Sequence, residues 1–408
     1  MKIRTVPALA LALSLLVAAC TPAASPAPTA APAKPTDAPA AKPAAASPSP
    51  AASPAAAPAA SPSPAAVASP AASASPVAAA SPSPAAAPAA AAPAAKPGTR
   101  ERATVTIGGR FATVYLHFDL AKALGYYEDE NLELDLQYLA GGTQAATALL
   151  AGQSQFSGNS MDHIVKAKNE GRDMLLIASM TTAPGITLVV NKKYENEIKT
   201  PADLKGRRVG VSALGAGTHV VLLNVLAKVG LRPDDVQVVP VGSDTLPAAL
   251  EADQVHAAMG TDPFVSILRR ADKAYFLADF TTREDTTRYL GGEFQFTGLL
   301  TTADTARSRP EVVQRMVNAI TRACQFLANN SARDVAARLP SEVTGGDLDT
   351  YVLGLEHSYP ALSKDCTATP AGVANFVESQ VVGGIITEAQ KPNPAELFDM
   401  SFVQRARR

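Results

Sequence analysis

The sequence predicts an α/β fold with largely parallel strands, arranged as two lobes on one chain. Three observations predict it. From Ala103 onward, short apolar runs alternate with amphipathic helical patterns. The turns after the strands are rich in Gly, Ser and Thr. The residues able to build a core number about 305, enough for two lobes, because the first hundred have a composition that cannot pack.

The N-terminal region is read first. Lys2 and Arg4 precede an apolar stretch of 12 residues, 8–19, too short to span a bilayer as a helix. Residues 1–19 therefore read as an export signal peptide. Val17-Ala18-Ala19-Cys20 resembles the lipobox of bacterial lipoproteins, in which the Cys thiol is diacylated, and lipidation is expected at Cys20. The plainer alternative is an ordinary signal peptide cleaved near Ala19. Two acyl chains of the palmitate kind anchor stably where one is marginal. Residues 20–102 form a linker of almost pure Ala, Pro and Ser, with only Lys34, Asp37, Lys42 and Lys96 charged between 21 and 98. Recurrent Pro removes helical donors, and little apolar surface is available to offset ordering entropy. A disordered tether is expected, reaching roughly 240 Å when fully stretched at about 3.1 Å per residue.

The folded part begins with a strand at 104–108 and a helix at 114–124 stopped by Gly125. Leu132, Leu134, Leu136 and Tyr138 alternate with polar residues as a second strand with one wet face. Gly141-Gly142-Thr143 leads into a helix at 144–151, with Thr143 as its expected cap. A strand near 155–156, a helix at 161–170 and strands at 174–180 and 185–191 follow. A second lobe then opens with a short helix at 201–206. Strands at 208–211, 236–241 and 255–259 alternate with helices at 219–229, 246–252 and 263–270. An apolar return strand at 294–302 makes that lobe discontinuous, and the remaining helices are expected to pack back on the first. The expected division is 103–190 with 296–408 for lobe 1, and 191–295 for lobe 2.

Several runs resemble the solute-binding proteins of ABC importers that take nitrate, aliphatic sulfonates, taurine and thiamine precursors. They are Gly210-Val211-Ser212-Ala213-Leu214-Gly215-Ala216-Gly217-Thr218-His219, Leu226-Ala227-Lys228-Val229-Gly230-Leu231, Asp262-Pro263-Phe264 and Pro394-Ala395-Glu396-Leu397-Phe398-Asp399. The resemblance extends from about Thr104 to Phe402 and rests on the order of these landmarks. Its members often carry Gly-x-Val-Asp-Ala where this chain has Asp253-Gln254-Val255-His256-Ala257. The resemblance implies a type II periplasmic-binding-protein fold, two α/β lobes joined by two crossing strands that close on a ligand. It also implies an ABC permease and its ATPase as partners.

In open α/β sheets, ligands sit beyond the carboxyl ends of strands, where helix starts offer free N–H groups. That rule nominates Arg110, Thr113, Gly142, Thr143, Gln144, Asn159, Ser160 and Thr182 on the first lobe. On the second it nominates Ser212, Gly215, Gly217, Thr218, His219, Ser243, Thr261 and Asp262. Small residues let the backbone approach a ligand, and hydroxyls add donors without charge. A sulfonate, nitrate, taurine or pyrimidine-like solute, polar or anionic, is expected, with Arg110 pairing an anion in bidentate fashion. For each there is a bland alternative: His219, Asn159 and Asp162 as helix caps, Arg110 as a solvated loop residue, and Tyr115 as core.

Other classes fit less well. A formal net charge of −1, from 36 basic and 37 acidic residues, gives no footprint for nucleic acid. The five His are scattered without metal-ligand spacing, so no metal and no cofactor are expected. No nucleophile elbow or Walker loop marks an enzyme, although a thiamine-pyrimidine synthase shares the fold of the resembling family. A solute-sensing lipoprotein for a receptor is a further alternative. Cys324 and Cys366, outside the cytoplasm, are expected to pair. The reading is thus a monomer, lipid-anchored on the outer face of the cell membrane, and not an enzyme.

Overall fold

The computed structural model describes residues 100–407. The expected signal peptide, Cys20 and nearly all of the expected linker lie outside the described residues. Ten strands form two five-stranded sheets. The first sheet has the order β2 (Leu132–Leu139), β1 (Glu101–Gly108), β3 (Phe156–Ser160), β10 (Thr297–Thr302), β4 (Met174–Ser179). The second has the order β7 (Gln237–Pro240), β6 (Arg208–Val211), β8 (Ala257–Thr261), β5 (Ile186–Asn191), β9 (Ala274–Asp279). In each sheet three neighbouring strands run parallel, and one strand arriving from the other lobe runs antiparallel: β10 between β3 and β4, and β5 between β8 and β9.

The strand pattern follows burial. β2 lies at an edge, so only alternate residues are covered and the sequence alternates, whereas β5 and β10 are central and buried on both faces along all but their last residue. The lobe boundary differs from the expected one for that reason. β5 joins the second sheet, so the first crossing is complete before Ile186 and lobe 1 does not extend to residue 190. β9 and the helix Arg283–Leu290 also belong to the second lobe.

The C-terminal part is shared. Helix Pro310–Asn329 buries Val313, Met316, Val317, Ile320 and Leu327 against the first lobe, and helix Ser401–Ala406 packs on it. Helices Leu348–Ser358 and Pro370–Val382, by contrast, pack against the second-lobe helices Phe264–Arg270 and Gly217–Lys228. The C-terminal segment thus touches both lobes: a Cβ at Gly354 would lie 2.6 Å from Pro263, a backbone approach that only Gly permits.

Cys324 and Cys366 are bonded, with Cα atoms 5.8 Å apart. The bridge ties the long helix to the segment that hydrogen-bonds Ser179 and Thr181 at the end of the first sheet. Closing a loop of 42 residues limits the unfolded chain by about 4 kcal/mol in the chain-entropy account.

Candidate functional site

The carboxyl ends of the parallel strands in the two lobes face one another, and the loops that leave them touch. Gly109, after β1, adopts φ +123°, and a Cβ placed there would meet the Ser243 side chain of the other lobe at 3.5 Å. The Thr113 amide donates to the Asp262 carbonyl at 3.0 Å. The Thr143 hydroxyl donates to the Leu214 carbonyl at 3.4 Å. Gly141 approaches Ala213, and a Cβ at Gly217 would lie 2.4 Å from Phe296 Cζ and 2.8 Å from Ser160 Oγ. The small residues are thus explained by close approach of one lobe to the other.

Each loop is also braced within its own lobe. Helix Gly142–Leu150 starts at an extended Gly141, which makes Thr143 an internal residue and not the cap expected from sequence. Asn159 stands at the end of β3, where its Nδ2 donates to the Gly142 carbonyl at 2.7 Å and its Oδ1 accepts from the Ser160 amide. On the second lobe the Thr218 hydroxyl accepts from the Ser212 amide at 3.0 Å and pairs with its hydroxyl at 2.8 Å. Gly215, at φ +73°, donates its N–H to His219 Nδ1 at 3.0 Å. That bond fixes the tautomer, because a neutral ring accepting at Nδ1 carries its proton on Nε2. Burial lowers the pKa of His219 from its ordinary value, against a smaller opposing pull from Asp162, so the ring is neutral at pH 7.

The residue that Tyr115 and His219 both sense is Asp162. Its charge, second to burial, raises the Tyr115 pKa and opposes the burial that lowers the His219 pKa, so it lies within electrostatic reach of both. The Asp162 carboxylate opens helix Asp162–Asn169 and its side chain is 4% exposed, yet neither oxygen accepts a hydrogen bond from the protein. His163 Nε2 lies 3.3 Å from Oδ2, outside the angular range of a hydrogen bond. The Thr113 hydroxyl is likewise buried without a partner.

Other nominated residues are committed elsewhere. The buried Asp262 carboxylate accepts from Ser266 Oγ at 2.5 Å and pairs with His357 Nδ1 at 2.6 Å, while His357 Nε2 reaches Asp279 at 2.9 Å. Burial would lower the His357 pKa, but the two carboxylates outweigh it and raise it to about 9. Arg110 is exposed, with its guanidinium over the rings of Phe111 and Tyr138 at 5.9 and 5.5 Å. It borders a cavity of about 450 Å³ with Asp119, Lys122, Arg338 and Glu342, and it acts on Asp244. Gln144 is exposed, Thr182 hydrogen-bonds to the Ala361 carbonyl, and Thr261 ends β8. His256, the departure from the resembling pattern, accepts from the Arg208 amide at 2.9 Å, an internal role.

Asp162, His163, Phe296 and His357 were not singled out from sequence as site residues. An Asp in the first turn of a helix ordinarily caps it, and nothing in the sequence distinguishes this one. Among the described residues no group of three or more His, Cys, Asp or Glu is placed to hold a metal ion.

Three comparisons bear on this arrangement. A protein of Bordetella bronchiseptica RB50 is 29% identical, with 75% of this chain and 96% of that chain aligned and a TM-score of 0.70. The alkanesulfonate-binding protein SsuA from Xanthomonas axonopodis pv. citri, solved with MOPS bound, is 22% identical over 76% of this chain and 98% of that chain, with a TM-score of 0.57. The 4-amino-5-hydroxymethyl-2-methylpyrimidine phosphate synthase of Schizosaccharomyces pombe is 27% identical over 143 residues, 35% of this chain, and the alignment spans only 40% of the yeast protein. The fold is the type II periplasmic-binding-protein fold that the resemblance implied. The family described as NMT1/THI5 like matches residues 112–333, more than half of the sequence, and the chain belongs to that family.

Proposed function

We infer that the protein is the extracytoplasmic solute-binding component of an ABC importer, a clamp whose two lobes close on one small polar molecule. The observation that supports this reading is the facing of the two loop sets. Small residues at the carboxyl ends of parallel strands meet across the lobes, around a buried cluster whose polar atoms the protein leaves unpaired. Ligand sites in α/β sheets form at such ends. A solute that contacts both lobes favours the closed arrangement by its differential affinity.

The residues that carry contact in this reading are Thr113, Thr143, Ser160 and Asp162 with His163 on the first lobe, and Ser212, Gly217, Thr218 and His219 on the second. Cys20 supplies the lipid anchor and residues 20–102 the tether to the outer face of the membrane, where an ABC permease and its ATPase receive the solute. A second reading, a pyrimidine-synthase-like enzyme, is favoured by the fission-yeast similarity and predicts product formation by the purified chain.

The test is a thermal-shift screen of the full chain against nitrate, sulfonates, taurine, pyrimidines and amines, followed by hydrogen exchange with any hit. A true solute raises the unfolding midpoint in proportion to occupancy and slows exchange of the Thr113 amide, which bridges the lobes. A hit that stabilises the chain while leaving Thr113 exchange unchanged removes the clamp.

A further inference from the structure

Asp162 is a buried carboxylate that the protein does not satisfy. Its first-turn position makes it tolerable, since the positive end of the helix dipole favours an anion there. The dipole does not replace hydrogen bonds, however, and a desolvated carboxylate without donors is strongly disfavoured unless a partner is supplied. The chain supplies none. Among the described residues the only basic side chain within 4.0 Å of it is His163, and no Lys or Arg pairs with it. On the opposite lobe His219, a neutral ring whose donor is Nε2, lies within electrostatic reach of it. Arg110, which would have suited an anion, sits instead over Phe111 and Tyr138 beside Asp244.

A sulfonate or nitrate placed in this neighbourhood would bring acceptor oxygens to an acceptor and leave both Asp162 oxygens unpaired. A protonated nitrogen would do the reverse, donating N–H groups in short, charge-assisted hydrogen bonds. Sites built around a buried polar group discriminate strongly against analogues that lack its complement. Resting on the solute-binding reading above, we propose that the solute carries an ammonium or amidinium group that donates to Asp162, flanked by His163. This replaces the anionic head group expected from the helix starts alone.

The experiment compares matched pairs on the full chain: benzamidine against benzoate, n-butylammonium against butyrate, and taurine against 2-hydroxyethanesulfonate. Each is tested on the wild type and on Asp162→Asn. The proposal expects at least one nitrogen-bearing member to raise the unfolding midpoint where its partner does not. It expects Asp162→Asn to weaken that binding by about thirtyfold or more. The ligand-free midpoint of Asp162→Asn should be unchanged or higher, because an unpaired buried charge has been removed; a purely structural role for Asp162 would lower it. Binding by the acids or the hydroxy-sulfonate alone, or amine binding that survives Asp162→Asn, overturns the proposal and leaves the solute-binding reading standing. Silence from every member of both sets overturns the two together.

Discussion

Gly217→Ala tests whether the two lobes part. Gly217 opens helix Gly217–Lys228 on the second lobe, and an added Cβ would stand 2.4 Å from Phe296 Cζ, 2.8 Å from Ser160 Oγ and 3.1 Å from Ser160 Cβ. Carbon atoms in contact sit about 3.5–4.0 Å apart, so roughly 1 Å must be found. Phe296 cannot swing away easily, being buried and packed against Phe294 and Phe376 with ring centroids at 6.1 and 6.3 Å. Ser160 is held in β3. Overpacking of this kind costs about 1–3 kcal/mol, and in a clamp the share of it borne against Ser160, which belongs to the first sheet, falls on the closed arrangement alone. The open population then rises about fivefold to about 150-fold, and solute affinity falls by the same factor. Within the helix Ala is, if anything, better than Gly by about 1 kcal/mol, so global stability holds. The assay is hydrogen exchange at the Thr113 amide, whose acceptor is Asp262 on the other lobe, alongside the unfolding midpoint. Unchanged exchange with a midpoint several degrees lower would refute the reasoning, since it would make the contact ordinary core.

Two further outcomes are expected. His357 has a folded pKa raised from 6.5 to about 9 by Asp262 and Asp279, so its contribution is complete below pH 6.5 and fades as pH rises through about 9. With its side chain 18% exposed, that shift is worth about 2–3 kcal/mol after allowance for screening. His357→Gln should therefore lower the midpoint by about 3–5 °C at pH 6 and by far less at pH 10, and an equal drop at both values would contradict the ion-pair account. Cys20→Ser should move the expressed chain from the detergent phase to the aqueous phase in phase partitioning; an unaltered partition would remove the lipid anchor.

Much of the fold was legible because its signals are local. The alternation of Leu132, Leu134, Leu136 and Tyr138 gave a strand with one wet face, which lies at a sheet edge, and the short helix expected at 201–206 is a single turn, Pro201–Leu204, opened by Thr200. β9 was missed because Ala274–Asp279 is short and half-buried, without a clean period, and helix Arg283–Leu290 because its charged and Thr-rich sequence carries little apolar face. The lobe boundary was misplaced because a fully buried strand looks alike whichever sheet it joins, and β5 is such a strand. The site divides the same way. Loops of small residues at strand ends could be nominated by rule, but pairings between residues far apart, such as His357 with Asp262 or His219 within electrostatic reach of Asp162, leave no mark in the sequence.

Where the clamp bends follows from how its two crossings are tied. Gln295 Nε2 donates to Ser179 Oγ at 3.0 Å and to the Thr181 carbonyl at 3.2 Å, and the Thr297 amide donates to Thr181 Oγ1 at 3.0 Å. These bonds fasten both crossing segments to the first sheet, and the Met180 amide adds another to the Thr297 carbonyl. On the far side, the Gly185 amide donates to the Phe280 carbonyl, which places Gly185 with the second lobe. On the clamp reading, rotation falls on the short stretches between, residues 183–185 on one crossing and 291–294 on the other. Gly185 at φ +63°, Gly291 at +90° and Gly292 at +138° hold backbone conformations there that L side chains resist. When the Thr113 amide exchanges through opening, the Thr297 amide should stay protected. Simultaneous exchange of the two would mean that the whole body loosens and that no hinge exists.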